Sequence, residues 1–124
     1  MNEIALKRVY DDPDGPSSAD GVRVFVDRLW PRGESKAAFH YDIWAKDVAP
    51  SSELREWYHE DRIGRWTEFR KRYLAELQDN AAATGLISLL RGKPKITLLF
   101  GSKDVDHNNA VILAEYLKDN LKRK

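Results

Sequence analysis

The sequence predicts an α/β fold: a single small domain over residues 1–124, with a central, mostly parallel sheet flanked by helices. Three observations predict it. Val24 to Val26 and Ile96 to Phe100 are short apolar runs of the kind found in strands covered on both faces. Between them lie segments with apolar residues at helical spacing. A late strand–helix unit follows, so strands and helices alternate as they do around parallel sheets. A chain of 124 residues suits one domain and can hold a core without staples.

Each element has its own warrant. Ile4 to Tyr10 reads as a first strand, offering Ile4, Leu6, Val9 and Tyr10 to a core. Asp11 to Gly21, rich in Asp, Pro, Gly and Ser, reads as turns. Val22 to Asp27 is the clearest strand of the first half, and Pro31 and Gly33 end regular structure after it. Within Lys36 to Asp47, Tyr41, Ile43 and Ala45 would line one face of a short edge strand. Ser51 is the expected N-cap of a helix, with Glu53 near the positive end of its dipole and Leu54, Trp57 and Tyr58 on one face. A break at Asp61 to Gly64 leads to a second helix from Arg65 to Asp79. It buries Trp66, Phe69, Tyr73 and Leu77, and pairs Glu68, Arg72 and Glu76 on the other side. Ala81 to Arg91 reads as a third helix with Leu86, Leu89 and Leu90 inward, ended by Gly92 and Pro94. Asp106 or His107 is expected to open the last helix, whose stripe is Ala110, Leu113, Ala114, Leu117 and Leu121.

Composition narrows the function. The chain has no cysteine, which removes disulfides, thiolate metal sites and a thiol nucleophile, and fits a cytoplasmic setting. The charged N-terminus does not resemble a signal peptide, and no run approaches the length of a membrane span. A formal net charge of +1 gives no strong overall field for nucleic acid, so an anion site must be a local concentration of cations. His40, His59 and His107 form no metal motif, and neither metal nor cofactor is expected. Ser51 and Ser52 lack the setting of a nucleophilic serine.

Two strand ends hold the chemistry. Ligands of open parallel sheets gather outside the carboxyl ends of the strands. One such end is VDRLWPRG, Val26 to Gly33; the other is GSKDVDHNN, Gly101 to Asn109. If the two strands are neighbours, Asp27, Arg28 and Arg32 meet Ser102, Lys103 and Asp104. Arginine forks match phosphate or carboxylate, so Arg28 and Arg32 are candidate anion ligands. The competing role for Arg28 is a pair with a helix carboxylate. Trp30 either stacks on a ligand ring or plugs the core beside Leu29. Lys103 before a helix N-terminus would reinforce an anion site, and Asn108 would hydrogen-bond the ligand. Asp27 or Asp104 would be the base if hydrolysis or transfer occurs. Against this, a paired Asp27 would be a poor base, and capping competes for Asp104. Arg65, Arg70, Lys71 and Arg72, with the basic tail Lys118 to Lys124, are interleaved with acids and read as a solvated face.

The run DGVRVFVDRLWPRG, Asp20 to Gly33, resembles the signature of the bacterial YeaO-like proteins, a branch of the domain of unknown function 488 superfamily. The likeness continues through WAKDVAPSSELREWYHEDRIGRWTEFRKRYLAEL and TLLFGSKDVDHNNAVILAEYL. The resemblance implies a compact α/β domain in which both strand-end segments are hallmark stretches. It also places Arg8, Tyr10, Lys46, Ser51 and Arg55 on family motif positions. The wider superfamily often carries a cysteine and a His–Arg pair near the last strand and helix. This chain has Phe100 to Asn109 there and no cysteine, so a thiol-dependent role does not carry over.

The expectation is a cytoplasmic protein binding a small anionic or nucleotide-like ligand, with hydrolase or transferase chemistry open to it. The alternative is a nucleic-acid-binding or regulatory module without catalysis. A third possibility is an interaction protein whose exposed aromatics meet a partner.

Overall fold

The computed structural model describes residues 3–11, 20–36 and 39–122. Its centre is a sheet of β1 (Glu3–Arg8), β2 (Val22–Phe25), β3 (Ile43–Trp44) and β4 (Lys95–Phe100), in the order β1-β4-β2-β3. All pairings are parallel. The expected neighbours are therefore neighbours: Val24 lies opposite Leu98 and Phe25 opposite Leu99. Arg8 lies opposite Phe100 and Phe25 opposite Trp44, so every carboxyl end faces the same side of the molecule.

The helices are α1 (Ser52–Glu60), α2 (Trp66–Gln78), α3 (Ala81–Leu90) and α4 (Asn109–Leu121). Their buried side chains join Val24, Val26, Ile96, Leu98 and Phe100 in one large cluster. A smaller cluster of Val9, Phe25, Phe39 and Leu99, with Trp30 and Trp44 against it, covers the alternate strand residues. Side chains of a strand point to opposite faces in turn, so β2 and β4 need both clusters, which is why their sequences do not alternate. Among the described residues no helix is long and apolar enough to cross a membrane.

Several expected boundaries move. The first strand ends at Arg8, and Val9–Asp11 turn as a short 3-10 helix that buries Val9 and leaves Tyr10 exposed. Residues 12–19 of the expected turn region and residues 123–124 of the tail lie outside the described residues. β2 ends at Phe25, although the Val26 N–H still donates to the Leu99 carbonyl at 3.1 Å. β3 is an edge strand as expected, but of Tyr41, Ile43 and Ala45, expected to line one face of it, only Ala45 is buried, and Tyr41 is exposed.

Ser51 does cap α1, accepting the Leu54 N–H at 3.2 Å. The Glu76 carboxylate receives the Ser51 hydroxyl and backbone N–H rather than Arg72, whose guanidinium bonds to Glu68. Leu89 is exposed, and Ala83, Leu86, Ile87 and Leu90 form the buried stripe of α3. Ile87, one position on from Leu86, completes the 3–4 spacing that Leu89 interrupts. α4 opens at Asn108, not Asp106 or His107: its side chain accepts the Val111 N–H at 3.1 Å. Asp104 instead holds the Asp106 and His107 N–H groups, both at 3.0 Å, in the turn before the helix.

Candidate functional site

The carboxyl ends of β2 and β4 open into a cavity of about 420 Å³. That size falls within the range of small-molecule sites. The loop after β2 contributes Asp27, Arg28, Leu29, Trp30, Pro31 and Arg32, and the loop after β4 contributes Gly101, Ser102 and Lys103. Of the eight residues expected to form a site, all but Asp104 line it. Asp104 sits outside as the turn's cap, and its two N–H donors hold its carboxyl below the ordinary range.

Asp27 ties the two strand ends together. Its Oδ2 accepts the Gly101 N–H at 2.8 Å, and its backbone carbonyl accepts the Trp44 indole N–H at 2.8 Å. A Cβ on Gly101 would lie 3.2 Å from Asp27 Oδ2, so glycine gives the chain its close approach there. Asn109 joins the same corner, donating to the Val26 carbonyl at 3.0 Å and hydrogen-bonding the Asp27 carboxylate. Burial raises the Asp27 pKa, outweighing the lowering influence of Gly101, Asn109 and the charge of Arg55. Asp27 is thus held by amides rather than by a close arginine.

Arg28 does not pair with a helix carboxylate. Its Nη2 reaches the Ala49 and Pro50 carbonyls, each at 3.3 Å, and its buried Nε has no hydrogen-bond partner among the described residues. The Arg32 backbone is fixed by the Tyr10 hydroxyl, which donates to its carbonyl at 2.8 Å, while the guanidinium is exposed. Arg8 secures the opposite loop through Nε to the Ser102 carbonyl at 3.0 Å and lies over the Tyr10 ring. Arg8 and Tyr10 therefore brace both halves of the mouth from the end of β1.

Trp30 packs against the smaller core cluster and also faces the cavity. Its ring packs edge-on against Phe25, Phe39 and Trp44, its indole N–H donates to the Glu34 carbonyl at 2.6 Å, and it still lines the cavity. Leu29 does not share the core with it; that side chain is exposed. Asn108 lines the cavity too, but its amide oxygen caps α4 and its Nδ2 donates to the Asp104 carbonyl at 2.8 Å. The Ser102 hydroxyl accepts the Asp104 N–H at 3.2 Å.

The opposite wall was not among the site residues expected from the sequence. α1 and the turn after it contribute Arg55, Tyr58, His59 and Arg62. Arg55 and His59 stand at i and i+4, the spacing of one helix face, which is the signal that could have found those two; Arg62 lies in the turn after α1. Protein packed around the His59 ring, and then the charges of Arg55 and Arg62, lower its pKa. Burial, and next the charge of Asp104, raises that of Tyr58.

The arginines divide by position. Outside the cavity Arg8, Arg23, Arg65, Arg70 and Arg72 each pair with a carboxylate. Among the described residues no direct ion pair holds Arg28, Arg32, Arg55, Arg62 or Lys103, all of which line the cavity. Among the described residues Asp27 is the single carboxylate in the lining. Such a surface favours an anion carrying several acceptor oxygens. Among the described residues no group of three His, Asp or Glu side chains is placed to hold a metal ion.

These features define a small parallel α/β protein with a cation-lined cavity at its strand ends. The family profile described as the inactive DUF488-N3 subclade matches residues 3–124, and the chain belongs to that family. It is 38% identical over 115 residues to "Uncharacterized protein YeaO" of Escherichia coli (strain K12), across 93% of this chain and 96% of that protein. It is also 44% identical over 114 residues to uncharacterized proteins of Mycobacterium bovis and Mycobacterium tuberculosis, covering 92% of each chain. No solved structure matches. The YeaO-like resemblance of the sequence is borne out.

Proposed function

We propose that the protein binds a small anionic ligand, phosphate-bearing and nucleotide-like, in the strand-end cavity and does not transform it. One observation carries this reading: Arg28, Arg32, Arg55 and Arg62, which among the described residues have no direct carboxylate partner, gather in one cavity. Aromatic side chains in the lining, Trp30, Tyr58 and Phe69, supply apolar wall for the rest of a ligand. Three features favour binding without turnover. Asp27 is engaged by Gly101 and Asn109, Asp104 is a turn cap, and the family is described as inactive. The cysteine-free composition fits action in the cytoplasm. The nucleic-acid alternative draws less support, because Arg65, Arg70 and Arg72 are matched by Glu60, Glu115 and Glu68.

The test is thermal unfolding in millimolar phosphate, nucleoside phosphates and dicarboxylates, against chloride at equal ionic strength. A ligand that binds only the native state raises the midpoint in proportion to RT ln(1 + [L]/Kd). Phosphate-bearing ligands are expected to do so, and to be recovered unchanged after incubation. No shift with any anion would overturn the binding reading; turnover of a bound ester would overturn the non-catalytic part.

A further inference from the structure

We propose that the cavity mouth docks a phosphorylated segment of another polypeptide, the phosphate entering the cationic cavity and flanking aliphatic side chains resting on its rim. The proposal deepens the anion-binding reading and rests on it.

The rim is the new observation. Seven large hydrophobic side chains stand exposed among the described residues. Tyr10 and Leu29 line the cavity, Ile63 directly follows the lining residue Arg62, and Val105 lies between the lining residues Lys103 and His107. Leu29 is 62%, Ile63 96% and Val105 51% exposed. Single exposed aliphatics are ordinary, but four of these seven belong to, or stand next in sequence to, the segments that line the cavity.

A free anion would leave that rim in water. A nucleotide base finds its stacking partners among the aromatics inside, not on aliphatic side chains of separate loops. A polypeptide presents an anionic side chain and apolar neighbours together, and arginine clusters are a recurring means of reading such segments. The charge favours a phosphate over a single carboxylate: among the described residues five lining cations face one carboxylate, and a phosphorylated side chain brings a charge of about −1.5 to −2 with three acceptor oxygens. A membrane surface fits less well, since a net charge of +1 gives little attraction to anionic lipid.

Two blocked peptides test the idea by calorimetry: Leu-Val-phosphoserine-Leu-Val and Gly-Gly-phosphoserine-Gly-Gly, beside inorganic phosphate and phosphatidylglycerol vesicles. The aliphatic phosphopeptide should bind about tenfold tighter than the glycine one, and its unphosphorylated form should not bind measurably. The double variant Ile63→Ser, Val105→Ser changes only residues outside the lining. It should cut that advantage to about threefold or less, while its unfolding midpoint and its phosphate-induced shift match the parent's. Each single variant, which perturbs the fold least, should lose part of the advantage. Equal affinity of the two peptides, an advantage that survives the double variant, or tight binding to vesicles alone would overturn the docking proposal. In each case a persisting shift with phosphate leaves the small-anion reading standing. Failure of phosphate and both phosphopeptides to bind would overturn both.

Discussion

Arg23 and Arg28 belong to the same short stretch of chain and do opposite work. Arg23 lies inside β2, 3% exposed, with Nη1 on Asp20 at 2.6 Å and Nε on the His40 carbonyl at 3.0 Å. Asp20, itself 7% exposed, is shared with Lys7 at 3.0 Å. Arg28, just past the strand, has long contacts to two carbonyls and a buried Nε with no partner among the described residues. A buried cation is tolerable when its charge is matched where it lies. Matching makes Arg23 part of the framework; the lack of a matching carboxylate leaves Arg28 able to take one from a ligand. The largest expected effect follows from this contrast. Arg23→Ala should cost about 3–5 kcal/mol in urea unfolding, because Asp20 keeps its charge in a buried place and loses the guanidinium that matches it. A cost below about 1 kcal/mol would mean that Arg23 is no more structural than Arg28.

Arg28→Ala removes two weak hydrogen bonds and no ion pair, so about 1–2 kcal/mol should be lost. Its larger effect should be on the ligand: the midpoint shift produced by millimolar phosphate should fall to a small fraction of the parent's. A loss as large as that of Arg23→Ala, with the phosphate shift intact, would make both arginines structural and erase the contrast.

Which parts of this were legible depends on what carries the information. Val24 to Val26 and Ile96 to Phe100 announced themselves, because a strand covered on both faces must be apolar throughout. Their adjacency placed Arg28, Arg32 and Lys103 around one cavity. Ser51 was readable because its side chain and the acid in the first turn act locally. Asn108 was not: Asp104, Asp106 and Asn108 are all able to cap, and Asn109, anchored to the Val26 carbonyl, fixes the helix start from across the sheet. Arg23 gave no signal, since a charged residue within VRVFV contradicts burial until Asp20 is known to sit against it. Arg55 and His59 share a face of α1, and Arg62 sits in the turn after it, yet only the docking of α1 beside the strand ends turns them to the cavity.

Asp27 sharpens the comparison through pH. Burial raises its carboxyl pKa, so folding favours the protonated form. The benefit is complete below the unfolded pKa of about 4 and is lost as pH rises through the higher folded value. Asp27→Asn keeps an oxygen for the Gly101 N–H and removes the buried charge. The variant should therefore unfold at a higher temperature than the parent at neutral pH, the difference closing as pH falls to about 4 or lower. It should also bind phosphate more tightly, since the carboxylate in the lining repels an anion. A variant less stable at neutral pH than at pH 4, each relative to the parent, would mean that Asp27 is stabilised as a carboxylate and that the arginines are less free than they look.

The smallest effect on stability should come from Arg32. Its place in the loop depends on its backbone, since the Tyr10 hydroxyl donates to the Arg32 carbonyl, and this bond survives truncation of the side chain. The guanidinium is exposed and among the described residues makes no direct ion pair. Arg32→Ala should consequently unfold within about 0.5 kcal/mol of the parent, and relief of repulsion between the lining cations works in its favour. Its midpoint shift with phosphate should nevertheless be smaller than the parent's, because one fork of donors is gone from the mouth of the cavity. Combining Arg32→Ala with Arg28→Ala sets the scale. Arginines that grip the same anion should lose more, or less, together than the sum of their separate losses, whereas arginines acting on different groups should add. Severe destabilisation by Arg32→Ala, with no anion shifting either protein, would make VDRLWPRG a structural corner whose two arginines differ from Arg23 only in exposure.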